Sequence, residues 1–95
     1  VQSYLIKELE KMGGIVFKGI VNNKSGYPDL TMCLNGLFYA IEVKKDNGVP
    51  SPLQIYRVET IRKAKGEACF VYGMSGAKLL LADIKLKATL KWEYK

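Results

Sequence analysis

No histidine occurs among the 95 residues of this chain. That absence excludes catalysis by an imidazole base, the triads built on one, and zinc held by imidazole. Any chemistry here rests on carboxylates, Lys, Tyr, Ser, Thr or a bound metal. Cysteine is scarce: Cys33 and Cys69 stand far apart inside apolar segments, without the close spacing of zinc or redox motifs, and are expected as buried reduced thiols. Long hydrophobic runs are also missing. The longest apolar stretches, such as "AKLLLADI" at 77–84, fall far short of a bilayer span, and no charged leader followed by an apolar signal core opens the chain. The expectation is a cytoplasmic protein with no membrane partner. Acidic residues are few, nine Asp and Glu against fifteen Lys and Arg, and the net charge of +6 is spread along the chain, as suits a polyanionic partner.

What is present describes a folded domain. Hydrophobic residues at 48% and charged residues at 25% are a globular balance, and the length supports one modest core, so residues 1–95 are expected to form a single domain. "VQSYLIKELEKMGG" carries Leu5, Leu9 and Met12 at helical spacing and two glycines to stop it. "IVFKGIV" (15–21) reads as a strand, "NNKSGY" as a loop, and "PDLTMCL" and "LFYAIEVKK" as two strands joined at Asn35-Gly36, the pair a tight hairpin prefers. "SPLQIYRVETIRKAKG" has the start signals of a helix, with Ser51 at the cap, Pro52 in the first turn and Gln54 three residues on. A strand over 67–73 and a third helix from near Ser75 follow, while the tail "ATLKWEYK" is left unplaced.

The hairpin carries the chemistry. If Asn35 and Gly36 form the turn, Leu34 faces Leu37, and the pairing continued outward sets Asp29 opposite Glu42. Opposed side chains lie about 4.5–5.5 Å apart, where two like charges repel, so something positive is expected between them. Alternation along the strand puts Lys44 on the face of Glu42, with Tyr39, Ile41 and Val43 on the other, toward the core. Singly, each residue also fits a solvated polar face with a cross-strand ion pair. Together, two carboxylates and an ammonium suit a magnesium site, where a nearby Lys stabilises developing charge or orients and deprotonates a water.

"GYPDL" (26–30), "IEVK" (41–44) and "SPLQIYRVETIRKAKG" (51–66) resemble the PD-(D/E)XK nuclease superfamily and, within it, the VRR-NUC family, where a PDL-type strand, an ExK strand and a Gln-bearing helix follow in this order. The resemblance spans roughly residues 1–75. It implies an α/β, restriction-endonuclease-like αβββαβ core, a mixed sheet flanked by helices, and DNA cleavage dependent on Mg2+, with Mn2+ as a substitute. Carried over, Asp29 and Glu42 become metal ligands, the Val43 carbonyl a further ligand, Lys44 the catalytic lysine and Gln54 the active-site glutamine. Gln54 equally suits a capping box with Ser51. Many relatives use a Glu on the first helix, where this chain has Gln2, a ligand without charge; Glu8 is the alternative acid.

Small stand-alone VRR-NUC proteins resemble phage or bacterial enzymes that act as homodimers on branched DNA, four-way junctions above all. The resemblance therefore implies a structure-selective endodeoxyribonuclease, a Holliday junction resolvase in a bacterial or phage-infected cell. Two other readings stand beside it: a noncatalytic nucleic-acid-binding module that keeps the nuclease fold, and a monomeric flap nuclease. Lys45, Lys24, Lys18 and Arg57 are the leading phosphate contacts, with Arg62, Lys63 and Lys65 behind them, and Leu79, Leu80, Leu81, Leu90 and Trp92 are candidates for a dimer interface.

Overall fold

Along the chain run α1 (Gln2–Lys11), β1 (Ile15–Lys18), β2 (Leu30–Leu34), β3 (Leu37–Lys44), α2 (Pro52–Lys63), β4 (Glu67–Tyr72) and α3 (Gly73–Glu93). The computed structural model describes residues 1–19 and 26–93, with side chains as far as residue 87. The strands form one mixed sheet in the order β1-β2-β3-β4. β1, β2 and β3 are antiparallel, and α2 carries the chain over to β4, which runs parallel to β3.

The β2–β3 hairpin follows the register expected from its turn. Asn35 (φ 53°) and Gly36 (φ 79°) supply the two left-handed residues that a tight turn of this kind demands, and pairing runs from Leu34↔Leu37 to Leu30↔Ile41. β3 is thus central and covered on both faces. On one side Leu30, Met32, Leu34, Tyr39, Ile41 and Val71 pack beneath α1 and α3, which contribute Leu5, Leu9, Ala77, Leu81 and Ile84. On the other, Ala40 and Ala68 pack against Val58 of α2.

Several expectations change. α3 starts at Gly73, close to the expected start near Ser75, and takes the backbone of the unplaced tail into the helix as far as Glu93. Of the interface candidates, Leu81 is buried in the core and so is not available as surface, Leu80 is half-buried against it, and Leu79 is exposed. The side chains of Leu90 and Trp92 lie outside the described residues, as do residues 20–25, which include the end of the expected first strand. Cys33 is exposed, not buried. It shares a cross-strand row with Ile15 and Phe38, on the α2 side of the sheet but beyond the part α2 covers, so all three are exposed. Cys69 is half-buried, and burial pushes its thiol up. Among the described residues no helix is long and apolar enough to cross a membrane.

Candidate active site

The segment before β2 is held from two sides. Gly26 sits at φ 70°, and a Cβ built on it would lie 2.8 Å from the Leu53 Cγ at the start of α2. The main chain therefore needs glycine both for its conformation and for its close approach to the helix. Three residues on, the carbonyl oxygen of Asp29 accepts the Gly19 N–H, tying the entry of β2 to the end of β1. Gly26→Ala is expected to cost about 1–2 kcal/mol from the left-handed conformation alone, with more from the collision. Denaturant unfolding measures the loss, and a midpoint equal to wild type would contradict it.

So placed, Asp29 stands one step beyond the last ladder pair and turns its carboxylate onto β3, where Oδ2 accepts the Val43 N–H at 2.8 Å. Its side chain also hydrogen-bonds that of Glu42. The pair expected across the hairpin is present, and it is not a solvated one: Glu42 is 3% exposed. Burial, then the hydrogen bond to Asp29 and that residue's negative charge, push the Glu42 carboxyl up to about 8, against a smaller pull downward from Lys44. At neutral pH, Glu42 therefore holds a proton against Asp29. Among the described residues no buried polar side-chain atom lacks a partner.

Lys44 lies one step further along the same face. Its Nζ donates to Gln54 Oε1 at 2.6 Å, and the same oxygen accepts the Ser51 N–H at 2.9 Å while Ser51 Oγ accepts the Gln54 N–H at 3.2 Å. The two roles weighed for Gln54 are thus compatible. One carbonyl oxygen closes the capping box and holds the lysine amine, so the cap that starts α2 also orients Lys44.

A divalent cation fits this donor set. Two adjacent carboxyls, of which Glu42 is pushed toward its protonated form, are well suited to give up that proton for a hard cation that prefers oxygen. Among the described residues no third His, Cys, Asp or Glu joins them in a metal-ligating cluster. Gln2 lines a cleft of about 400 Å3 whose walls also include Val43, Lys44, Lys45 and Asp46. Glu8 is engaged by Lys11 at 3.0 Å. Asp46, packed against Gly73 at the start of α3, is an acid near the lysine that no sequence pattern marked.

The basic candidates divide. Lys45 lines the cleft, and Lys18 is exposed on β1 opposite Leu30, next to Asp29 in the chain. Lys24 lies outside the described residues. Arg57 stands with its Cζ 4.5 Å from the centre of the Tyr27 ring and 5.7 Å from that of Tyr56, a grouping of aromatics that sequence reading missed.

A mixed sheet with an acid entering one hairpin strand and an ExK sequence on the next, capped by a glutamine-bearing helix, defines an α/β domain of nuclease type. No family model matches the chain. A solved structure described as a VRR_NUC domain is similar to it with a TM-score of 0.68 and 35% identity, over 83% of this chain and 88% of that one. The protein "Putative nuclease p44" of Acyrthosiphon pisum secondary endosymbiont phage 1 is 32% identical over 56 residues, 58% of this chain and 60% of that protein's length. The chain belongs to the VRR-NUC family.

Proposed function

We propose that this domain is a metal-dependent, structure-selective endonuclease that hydrolyses DNA phosphodiester bonds, acting on four-way junctions as a homodimeric Holliday junction resolvase. The observation that carries the reading is the buried Glu42 carboxyl paired with a half-buried Asp29, beside a lysine amine held by Gln54. Asp29, Glu42 and the Val43 carbonyl would hold Mg2+, or Mn2+ in its place, with Gln2 as a neutral further ligand; when bound, the ion supplies charge neutralisation at the scissile phosphate. The residues of the chain do the rest. Lys44, oriented by Gln54, faces charge developing on phosphate oxygen or orients the attacking water, while burial of Glu42 keeps the site's dielectric low and its electrostatics strong.

A net charge of +6 favours a nucleic acid backbone, with Lys45 on the cleft, Arg57 on α2, Lys18 on β1 and Lys24 as phosphate contacts. The phage relative supports a place in a bacterial or phage-infected cell. Two symmetric sites suit a pseudo-symmetric junction. Two exposed apolar surfaces support pairing: Leu79 beside a groove of about 430 Å3 between α3 and the β4 edge, and Ile15, Phe17 and Phe38 on the uncovered half of the sheet.

The test is cleavage of labelled four-way junction, flap and linear duplex in Mg2+, Mn2+ or EDTA, with sedimentation of the protein alone. Paired symmetric nicks in the junction, dependent on metal and made by a dimer, are expected. Tight junction binding without cleavage in either metal would assign the noncatalytic binding module, and flap cleavage by a monomer the flap nuclease.

A further inference from the structure

We propose that Tyr27, Arg57 and Tyr56 form a platform that receives one unpaired nucleobase beside the cleavage site, an inference that rests on the nuclease reading of that site. The Arg57 guanidinium carbon lies 4.5 Å from the Tyr27 ring centre and 5.7 Å from the Tyr56 ring centre. Both tyrosines remain more than half exposed, at 55% and 57%. Tyrosines so open contribute little burial to the fold, and a cation lying over both makes the surface ill-suited to an apolar partner. A flat, polarisable ligand with an anionic tether suits it: bases stack on aromatic faces and on guanidinium, whatever their sequence.

Position ties the platform to the chemistry. Tyr27 is two residues from Asp29, so their Cα atoms are separated by at most about 7 Å. Arg57 follows Gln54 by three residues on α2, on a neighbouring line of the helix and about 4.5 Å along its axis. Gln54 in turn touches Lys44. The platform therefore flanks the site from the Asp29 side and from the Gln54 side, within a nucleotide or two of a phosphate held there. It is also pre-set, because Gly26 is pressed onto Leu53 and α2 starts from a complete capping box. In an intact duplex every base is paired and stacked inward, out of reach of such a surface. At a flap a single-stranded base, and at a four-way junction a base whose pair opens at the crossover, can be turned onto it, so the platform would favour branched over continuous DNA.

The test uses the whole chain in EDTA, with a flap and a blunt duplex of equal length, the flap carrying 2-aminopurine at the first unpaired position. Wild type is expected to prefer the flap and to quench the 2-aminopurine on binding. Tyr56→Ala is expected to lower the flap-over-duplex affinity ratio by about tenfold and to abolish the quench, whereas Tyr56→Phe keeps both. Thermal melting of each variant checks the fold. Unaltered quench and ratio in Tyr56→Ala, or a Tyr56→Phe variant that fails as alanine does, would overturn the platform. If wild type binds and cuts DNA in Mg2+ but leaves 2-aminopurine unquenched, the platform falls and the nuclease stands. If wild type binds no DNA, both fall together.

Discussion

Lys44→Ala is expected to lower the rate of DNA cleavage at saturating substrate by about 10²–10⁴-fold, the range usual for a group that moves a proton or meets developing charge in the transition state. The fold should survive the change. Gln54 Oε1 keeps its second partner, the Ser51 N–H, so the cap of α2 is retained when the lysine is removed. Loss of Lys44 has an electrostatic consequence as well. The lysine pulls the Glu42 carboxyl downward, so the variant's Glu42 should ionise at still higher pH, and metal binding should require more alkaline conditions than in wild type. Single-turnover cleavage across pH separates the effects. A rate deficit that alkaline pH and excess Mg2+ fully restore would assign Lys44 to tuning Glu42, and a deficit that persists would place it at the reacting phosphate. Cleavage equal to wild type under all conditions would remove Lys44 from the site.

Much of this arrangement was legible in the sequence because it depends on local geometry. Asn35-Gly36 sets a turn, the turn sets the register, and the register brings Asp29 toward Glu42 and aligns Lys44 with it. The Ser51–Gln54 spacing likewise announces a cap, and the ExK and PDL sequences point to the family. What was hidden depends on which element covers which part of the sheet. Glu42 is buried because β4 flanks β3 and α2 lies above it, and neither is visible from the strand itself. Cys33 has the same apolar neighbours in sequence as a core thiol, yet α2 stops short of its row. Tyr27 and Arg57 are thirty residues apart, and only the approach of Gly26 to α2 brings them together. Gln2, a ligand position by resemblance alone, lines a cleft with Val43, Lys44 and Asp46, a grouping no local sequence signal announces.

Glu42→Gln should abolish cleavage and, in EDTA, remove a pH dependence of stability that wild type possesses. The sign follows from the direction of the shift. Folding raises the Glu42 carboxyl from its ordinary value of 4.5 to about 8, so the folded protein binds the proton more tightly than the unfolded chain does. The stabilisation this gives is fully present below the unfolded value, declines as pH rises from there through about 8, and is gone above it. One proton limits the slope to about 1.4 kcal/mol per pH unit. Glutamine keeps the shape and a hydrogen bond to Asp29 but cannot ionise, so the difference in unfolding free energy between variant and wild type should grow in the variant's favour between pH 5 and 8 and then level. Taking the difference cancels the other titrating groups that the two proteins share. Mg2+ should act in the opposite sense on wild type, stabilising it little in acid and increasingly as pH rises, because the ion competes with the proton for the same oxygens. The variant, left with a single carboxylate, should respond weakly throughout. Denaturant titrations at several pH values, with and without Mg2+, would show this crossing; parallel curves for the two proteins would mean that Glu42 is ionised in the folded chain and that the carboxyl pair is not coupled as its burial implies.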